Sequence, residues 1–253
     1  MHITHWVPTS GKPPAWSVVT SWQNMLLPDN AQKSFKVSYA GSVKIIWNKV
    51  IKDFLATKSD WLFSTHDDII YMPETLPRLL SWDKPLISAL VFMRHSPVIP
   101  HIWRHYEGHE SYYAHRIKDT RDWFYKYSDY IRFGPFVMEE KPDDALVEVD
   151  FTSTSCTLIH RSVLEGMHEF IHDDWFVCDD EEKGGGEDRR FFTYAKIAGF
   201  PGFVDRSCVA GHVAGDIPSS VADFIMWDSA SQFNGTGEPE IKGLEAAKPT
   251  EIR

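Results

Sequence analysis

Residues 60–76, DWLFSTHDDIIYMPETL, drive a short apolar run into His66, Asp67 and Asp68, and then into a second apolar run that closes at Pro73. "DWLFS" has the length and side chains of a buried strand, and Pro73 suits the first turn of a helix over "PETLPRLLS". Upstream, Val43, Ile46, Trp47, Val50 and Phe54 recur at helical spacing with Lys44, Asn48, Lys49 and Lys52 between them, which predicts an amphipathic helix over 42–56. Downstream, "KPLISALVF" (84–92) is a continuous apolar run of strand length. With "HITHWVPT" (2–9) as a first strand, the alternation predicts a single Rossmann-like α/β domain, three-layered with a mostly parallel central sheet. The turn formers of "PTSGKPP" predict that the chain leaves a sheet edge into a loop there.

At 253 residues and 43% hydrophobic composition the chain can bury one full core. No stretch reaches the roughly 18 uninterrupted apolar residues of a membrane helix, and the first residues lack a basic start followed by an apolar core. A soluble, cytoplasmic protein with no membrane span is expected. Cys156, Cys178 and Cys208 are odd in number and form no CxxC pair, which fits a reducing compartment. A formal net charge of -10 argues against general nucleic-acid affinity but leaves room for a local basic groove.

Such a groove has one candidate segment. Residues 94–136 break the strand–helix rhythm and carry eleven aromatics, with seven Lys or Arg against five Asp or Glu, so the segment is net positive within an acidic chain. Beyond it, "LVEVDF" and "SCTLIH" (146–160) resume strand character and "RSVLEGMHEF" is helical. "GGGEDRRFFTYAKIAGF" combines a glycine loop, an acidic first turn and a helix ended by Gly199, and "GFVDRSCVAGHV" is a last strand ending at His212. The acidic stretch 172–183 reads as a flexible loop that could close over a ligand. The tail, 233–253, is polar with Gly and Pro and is expected to be flexible.

Three elements could carry chemistry. In a parallel α/β sheet ligands gather at the carboxyl ends of strands, where His66, Asp67 and Asp68 fall. Two adjacent carboxylates repel unless a cation offsets them, and a hard divalent ion with oxygen ligands does so; an acidic turn ahead of a helix is the plainer alternative. In "GGGEDRRFF", glycines let a ligand approach the backbone, and a carboxylate in a first helical turn can serve as a general base or simply complement the helix dipole. His212, flanked by small residues after an apolar strand, is a possible ligand or an ordinary surface histidine.

The order of these elements, a strand-end "HDD", a "GGxED" opening a helix, then a "GH", resembles the GT-A fold glycosyltransferases, family 2 in particular. The "GGGED" motif is also similar to the galactosyltransferase C-terminal motif. The resemblance covers about 1–95 and 146–215, and implies a GT-A-like domain over 1–232 with an acceptor-side insertion at 94–145. It implies a metal-dependent transfer of a sugar from a nucleotide-sugar donor, a UDP-sugar first, to a hydroxyl acceptor with inversion, using Mn2+ or Mg2+. Asp68 and His212 are carried over as metal ligands, and Asp188 as the base with Glu187 orienting the acceptor. Pro8, Thr9, His66, Asp67, Gly185 and Gly186 are carried over to the donor. The sequence departs from the family where His66 replaces the first carboxylate of a DxD motif, and where Trp47 precedes Asn48 in place of Arg.

Within 94–145, Trp103, Tyr106 and Trp123 are the candidate acceptor contacts, because aromatic faces stack on sugars and on bases alike. A carbohydrate acceptor fits the total charge, and a hydroxymethylated base in DNA fits the local positive balance. Packing of these aromatics into a subdomain core is the alternative. At the level of the whole protein, the alternatives are a metal-dependent phosphohydrolase using His66, Asp67, Asp68 and His212, and a non-catalytic nucleotide- or sugar-binding module.

Overall fold

The computed structural model describes residues 1–9, 11, 13–39, 43–94, 98–105, 112–114, 117–172, 174–177, 186–214 and 217–233. In chain order the elements are β1 (His2–Thr9), α1 (Trp16–Asn24), β2 (Gln32–Tyr39), α2 (Val43–Leu55), β3 (Trp61–Thr65), β4 (Ile69–Ile70), α3 (Thr75–Leu80) and β5 (Leu86–Val91). The middle of the chain supplies β6 (Trp103–His105), β7 (Tyr112–Ala114), α4 (Ile117–Lys126), β8 (Phe136–Val137) and β9 (Leu146–Val149). It ends with β10 (Cys156–His160), α5 (Arg161–Ile171), α6 (Glu187–Ile197), β11 (Gly202–Ala214), β12 (Ile217–Pro218) and α7 (Val221–Phe233).

The main sheet runs β12-β11-β5-β10-β3-β1-β2. β2, β1 and β3 are mutually parallel, as are β5 and β11, while β10 runs antiparallel to both β3 and β5. The result is the expected Rossmann-like α/β domain with a mostly parallel central sheet. One expectation is corrected: β1 lies inside the sheet, and the edge is β2. β2 alternates Lys and Ser with Phe35, Val37 and Tyr39, three side chains that stay exposed, as an edge strand tolerates.

Strand alternation divides the core between the two faces. Leu62, Leu86, Leu90 and Ile159 point to one side, where they meet Ile46, Trp47, Val50, Ile51 and Phe54 of α2, Val163, Leu164 and Met167 of α5, and Phe191 and Phe192 of α6. Phe63, Ile87, Ala89, Val91 and Leu158 point to the other and pack on Leu76 and Leu79 of α3. Gly202 is fixed by this packing, since a Cβ there would lie 2.6 Å from the Phe192 ring. α3 starts at Thr75, with Glu74 at its N-cap, so Pro73 stands just before the helix instead of opening it. Among the described residues of 94–145, β6 and β7 pair antiparallel, and α4 and the short strand β8 follow, with β8 pairing β11.

A single guanidinium closes the turn between α2 and β3. Helix ends leave their last carbonyls without partners. Arg161 donates to the carbonyls of Phe54 (3.2 Å), Leu55 (3.1 Å), Thr57 (2.8 Å) and Ser59 (2.9 Å), and its plane lies over the Phe54 ring. Because Arg161 follows β10 directly, it also joins that strand to the start of β3. Replacing it with Ala is expected to lower the unfolding free energy by about 2–3 kcal/mol. Urea titration checks this, and a loss under about 0.5 kcal/mol would contradict the capping role.

Candidate functional site

The carboxyl ends of β1, β3 and β5 lie along one rim of the sheet, and the antiparallel β10 brings its amino end to the same rim. Thr9, at the end of β1, donates its hydroxyl to Asp67. Beyond β3, the short strand β4 pairs antiparallel with β11, setting His212 opposite Ile69, and Val213 N–H donates to the Asp68 carbonyl at 2.8 Å. This pairing brings His212 Nε2 to 3.2 Å from Asp68 Oδ2. Arg94, just past β5, donates from Nη1 to the same oxygen at 2.9 Å.

Burial alone would raise the Asp68 carboxyl, but the His212 hydrogen bond and the charges of His212 and Arg94 outweigh it and hold the pKa below the ordinary carboxylate value. The other oxygen, Oδ1, is buried with no hydrogen-bond partner among the described residues. His212 Nδ1 faces the Phe92 carbonyl at 3.3 Å. The Phe92 carbonyl accepts from Nδ1–H and the Asp68 carboxylate from Nε2–H; a cation bound at Asp68 would take the Nε2 lone pair in place of that second proton, the arrangement usual in a histidine that ligates a metal. Among the described residues no group of three or more His, Cys, Asp or Glu side chains could hold a metal ion. Asp68 Oδ1 and His212 Nε2 still suit a cation whose other positions belong to phosphate oxygens and water, as Mg2+ sites commonly are built.

His66 lies close enough to this pair to feel the charges of Asp68 and His212. Its main-chain N–H donates to the Ser155 carbonyl at 3.0 Å, and its ring lies 6.0 Å from that of Trp47. Burial lowers its pKa against the opposing pull of Asp68, and Nε2 has no partner among the described residues. His101 is a neighbour that the sequence did not single out for this rim. Burial, then the proximity of His212 and His66, lowers its pKa to about 4, so it is neutral at pH 7.

The turn ahead of β10 connects this half of the rim to α6. Gly186 caps α6 with φ +79°, a left-handed conformation that favours glycine. Asp188, in the first turn, accepts from Thr154 Oγ1 at 2.6 Å and from Thr154 N–H at 3.2 Å. Although the residue is half-buried as a whole, its carboxyl is desolvated. That desolvation, reinforced by the charge of Glu187 and only partly offset by Thr154, pushes the pKa up to about 7. Glu187 Oε2 is buried without a partner among the described residues. Ser155 therefore holds His66 while Thr154, its neighbour, holds Asp188.

Pro8 and Thr9 stand at the end of β1, beside the exposed ring of Tyr39 in the paired strand. Two acceptor candidates are corrected: Trp103 and Trp123 are 3% and 5% exposed and belong to the main core, where Trp103 stacks on Phe151. Both rings are used for packing, Trp123 against Phe124 and Tyr127. Tyr106, Gly185, residues 173 and 178–183 of the acidic stretch, and the tail from 234 onward lie outside the described residues. Arg94, Thr154 and Tyr39 are rim residues that motif reading passes over, although each stands at a strand end where a ligand would be expected.

No family model matches the chain, and no curated protein matches it. Among solved structures it is similar to A197 from STIV, with TM-score 0.47 and 15% identity over 85% of this chain and 86% of A197. It is also similar to S. aureus TarS 1–349 in complex with UDP-GlcNAc, with TM-score 0.44 and 11% identity over 86% of this chain and 57% of that one. A second S. aureus TarS 1–349 structure gives TM-score 0.43 and 12% identity, again over 86% of this chain and 59% of the other.

The folded pKa of Asp188, about 7, lies above the ordinary 3.8, so between these values the folded chain keeps a proton that the unfolded chain has lost. Stability from this group is present at low pH and is lost as pH rises through about 7. Asp188→Asn is expected to flatten that part of the stability curve in chemical denaturation between pH 5 and 8. Thr154→Val, which removes the hydroxyl donor, is expected to move the carboxyl's infrared titration upward. A wild-type midpoint near 4 would contradict the desolvated environment.

Proposed function

We propose that this protein is a divalent-cation-dependent glycosyltransferase, moving a sugar from a nucleotide-sugar donor, a UDP-sugar first, to a hydroxyl acceptor with inversion. The observation that carries the reading is that the turn 153–155 bonds Asp188 through Thr154 and the main chain of His66, two residues before Asp68, through Ser155, and so links two carboxylates in opposite electrostatic states. Asp68 is held ionised by His212 and Arg94, and Asp188 is raised to about 7. Paired acid groups whose surroundings separate their pKa values suit different chemical tasks.

Asp68 and His212 would hold Mn2+ or Mg2+, which when bound supplies charge stabilisation to a leaving diphosphate. Arg94, at hydrogen-bond distance from Asp68, can add a guanidinium to the same phosphates. Asp67, already oriented by Thr9, is suited to a ribose hydroxyl, with His66 beside it. Pro8 and Tyr39 offer a surface for the base, and Gly186 leaves the backbone open to the donor. Asp188 would accept the proton of the attacking hydroxyl, a role that favours a pKa near the working pH, and Glu187 would orient that hydroxyl through its unpaired oxygen. The segment 94–145 would face the acceptor, a carbohydrate or a hydroxymethylated base in DNA. Tyr125 and Phe133 replace the buried tryptophans there as exposed rings.

Thermal shift measurements with UDP test the donor half. UDP is expected to raise the melting temperature only with Mn2+ or Mg2+ present, and Asp68→Ala is expected to abolish the shift. Asp188→Asn should keep the shift while lowering the transfer rate by roughly 10²–10⁴-fold. An equal UDP shift in EDTA and in Asp68→Ala would overturn the reading.

A further inference from the structure

The pair Trp47–Asn48 of α2 has an arrangement that neither strand ends nor catalytic motifs explain. Asn48 faces the main chain of Phe176 with both ends of its amide: Oδ1 accepts from Phe176 N–H at 2.9 Å, and Nδ2 donates to the Phe176 carbonyl at 3.0 Å. An amide carries one acceptor and one donor group, so a single side chain here does what a paired strand residue would do. Trp47, 1% exposed, stacks on the Phe176 ring with centroids 4.8 Å apart, and its other neighbour is His66 at 6.0 Å. Phe176 in turn stacks on Phe191 at 4.7 Å and 13°. Phe191 lies three residues after Asp188 on α6, and so on the same helix face.

The next residue toward α5 is secured as well. Trp175 donates Nε1–H to the Leu164 carbonyl at 3.0 Å, and its ring stacks on His168. A continuous line of contacts therefore runs from His66, through Trp47, Phe176 and Phe191, to the helix carrying Glu187 and Asp188. Hydrophobic stacking tolerates sliding, whereas the two amide bonds of Asn48 fix the position of Phe176 along α2.

We propose that Asn48 is a positioning residue that sets α6, and with it Asp188, against the Asp68 rim, with the Trp47 ring as the spacer between the two. The inference rests on the transferase reading for its catalytic consequence, but its structural content is independent of that reading. Misplacement of a reacting group by about 1 Å can cost on the order of 10²-fold in rate. An altered register of α6 should therefore appear in kcat, with little change in donor binding at the other end of the line.

Hydrogen exchange read by mass spectrometry on the full chain tests the structural part. Asn48→Ala is expected to speed exchange at Phe176 and in the first turns of α6 by at least about fivefold, with β1 and β3 unchanged. Asn48→Asp, which keeps the acceptor for Phe176 N–H and loses the donor, should give a smaller effect in the same peptides and serves if the alanine variant does not fold. In the transfer assay, Asn48→Ala should lower kcat by about 10–100-fold while the donor KM changes less than about twofold. Unchanged exchange in α6, or a kcat equal to wild type in an active enzyme, would overturn the proposal. If wild-type protein transfers no sugar, the transferase reading fails, and the exchange result alone decides the placement of α6.

Discussion

The site depends on one strand running the wrong way. β10 lies between β3 and β5 and is antiparallel to both, whereas β1, β2, β3, β5 and β11 all run in one direction. A parallel strand would deliver its carboxyl end to the rim, whereas β10 delivers the turn before it. That turn is polar, Ser153-Thr154-Ser155, and supplies main-chain and hydroxyl groups to both sides: Ser155 to His66, Thr154 to Asp188. The two halves of the rim, separated by more than a hundred residues in the chain, are thereby held together. Arg161, at the other end of β10, fixes the strand against the α2–β3 turn, so the wedge is anchored at both ends.

Around this wedge the fold separates charge by environment. Asp68 has a histidine and an arginine within hydrogen-bond distance, while Asp188 has hydroxyl and amide donors and a like-charged neighbour. The same side chain is thus an anion suited to a cation in one place and a proton acceptor near neutrality in the other. Asp68 Oδ1, His66 Nε2 and Glu187 Oε2 are among the buried polar atoms without a partner among the described residues, and each faces a role in the site that its present contacts leave open.

Much of this was legible in the sequence, because the strands that form the rim are apolar runs that end in polar residues. "DWLFS" before His66, "KPLISALVF" before Arg94 and the helix opened by Gly186 are visible from periodicity and turn chemistry. β2 is not, because "QKSFKVSY" belongs to an edge with one side in solvent and lacks the apolar density of its neighbours. α7 escapes for the opposite reason: its apolar residues do not gather on one stripe. The tryptophans of the middle segment mislead, since a ring that stacks on sugar and a ring that fills a core have the same composition, and only burial separates Trp103 and Trp123 from a ligand surface. Trp47 stands out in the sequence as a departure, but Asn48 reads as an ordinary polar residue of α2; its partner is 128 residues away and no local pattern announces it.

The account is tested most directly by incubating the full chain with a panel of nucleotide sugars and measuring released nucleoside diphosphate, with Mn2+ and with EDTA. It predicts release from at least one donor, a UDP-sugar first, that depends on the cation and disappears in Asp68→Ala. Release that is equal in EDTA, or cation-dependent cleavage of a generic phosphate ester with no release from any nucleotide sugar, would contradict it.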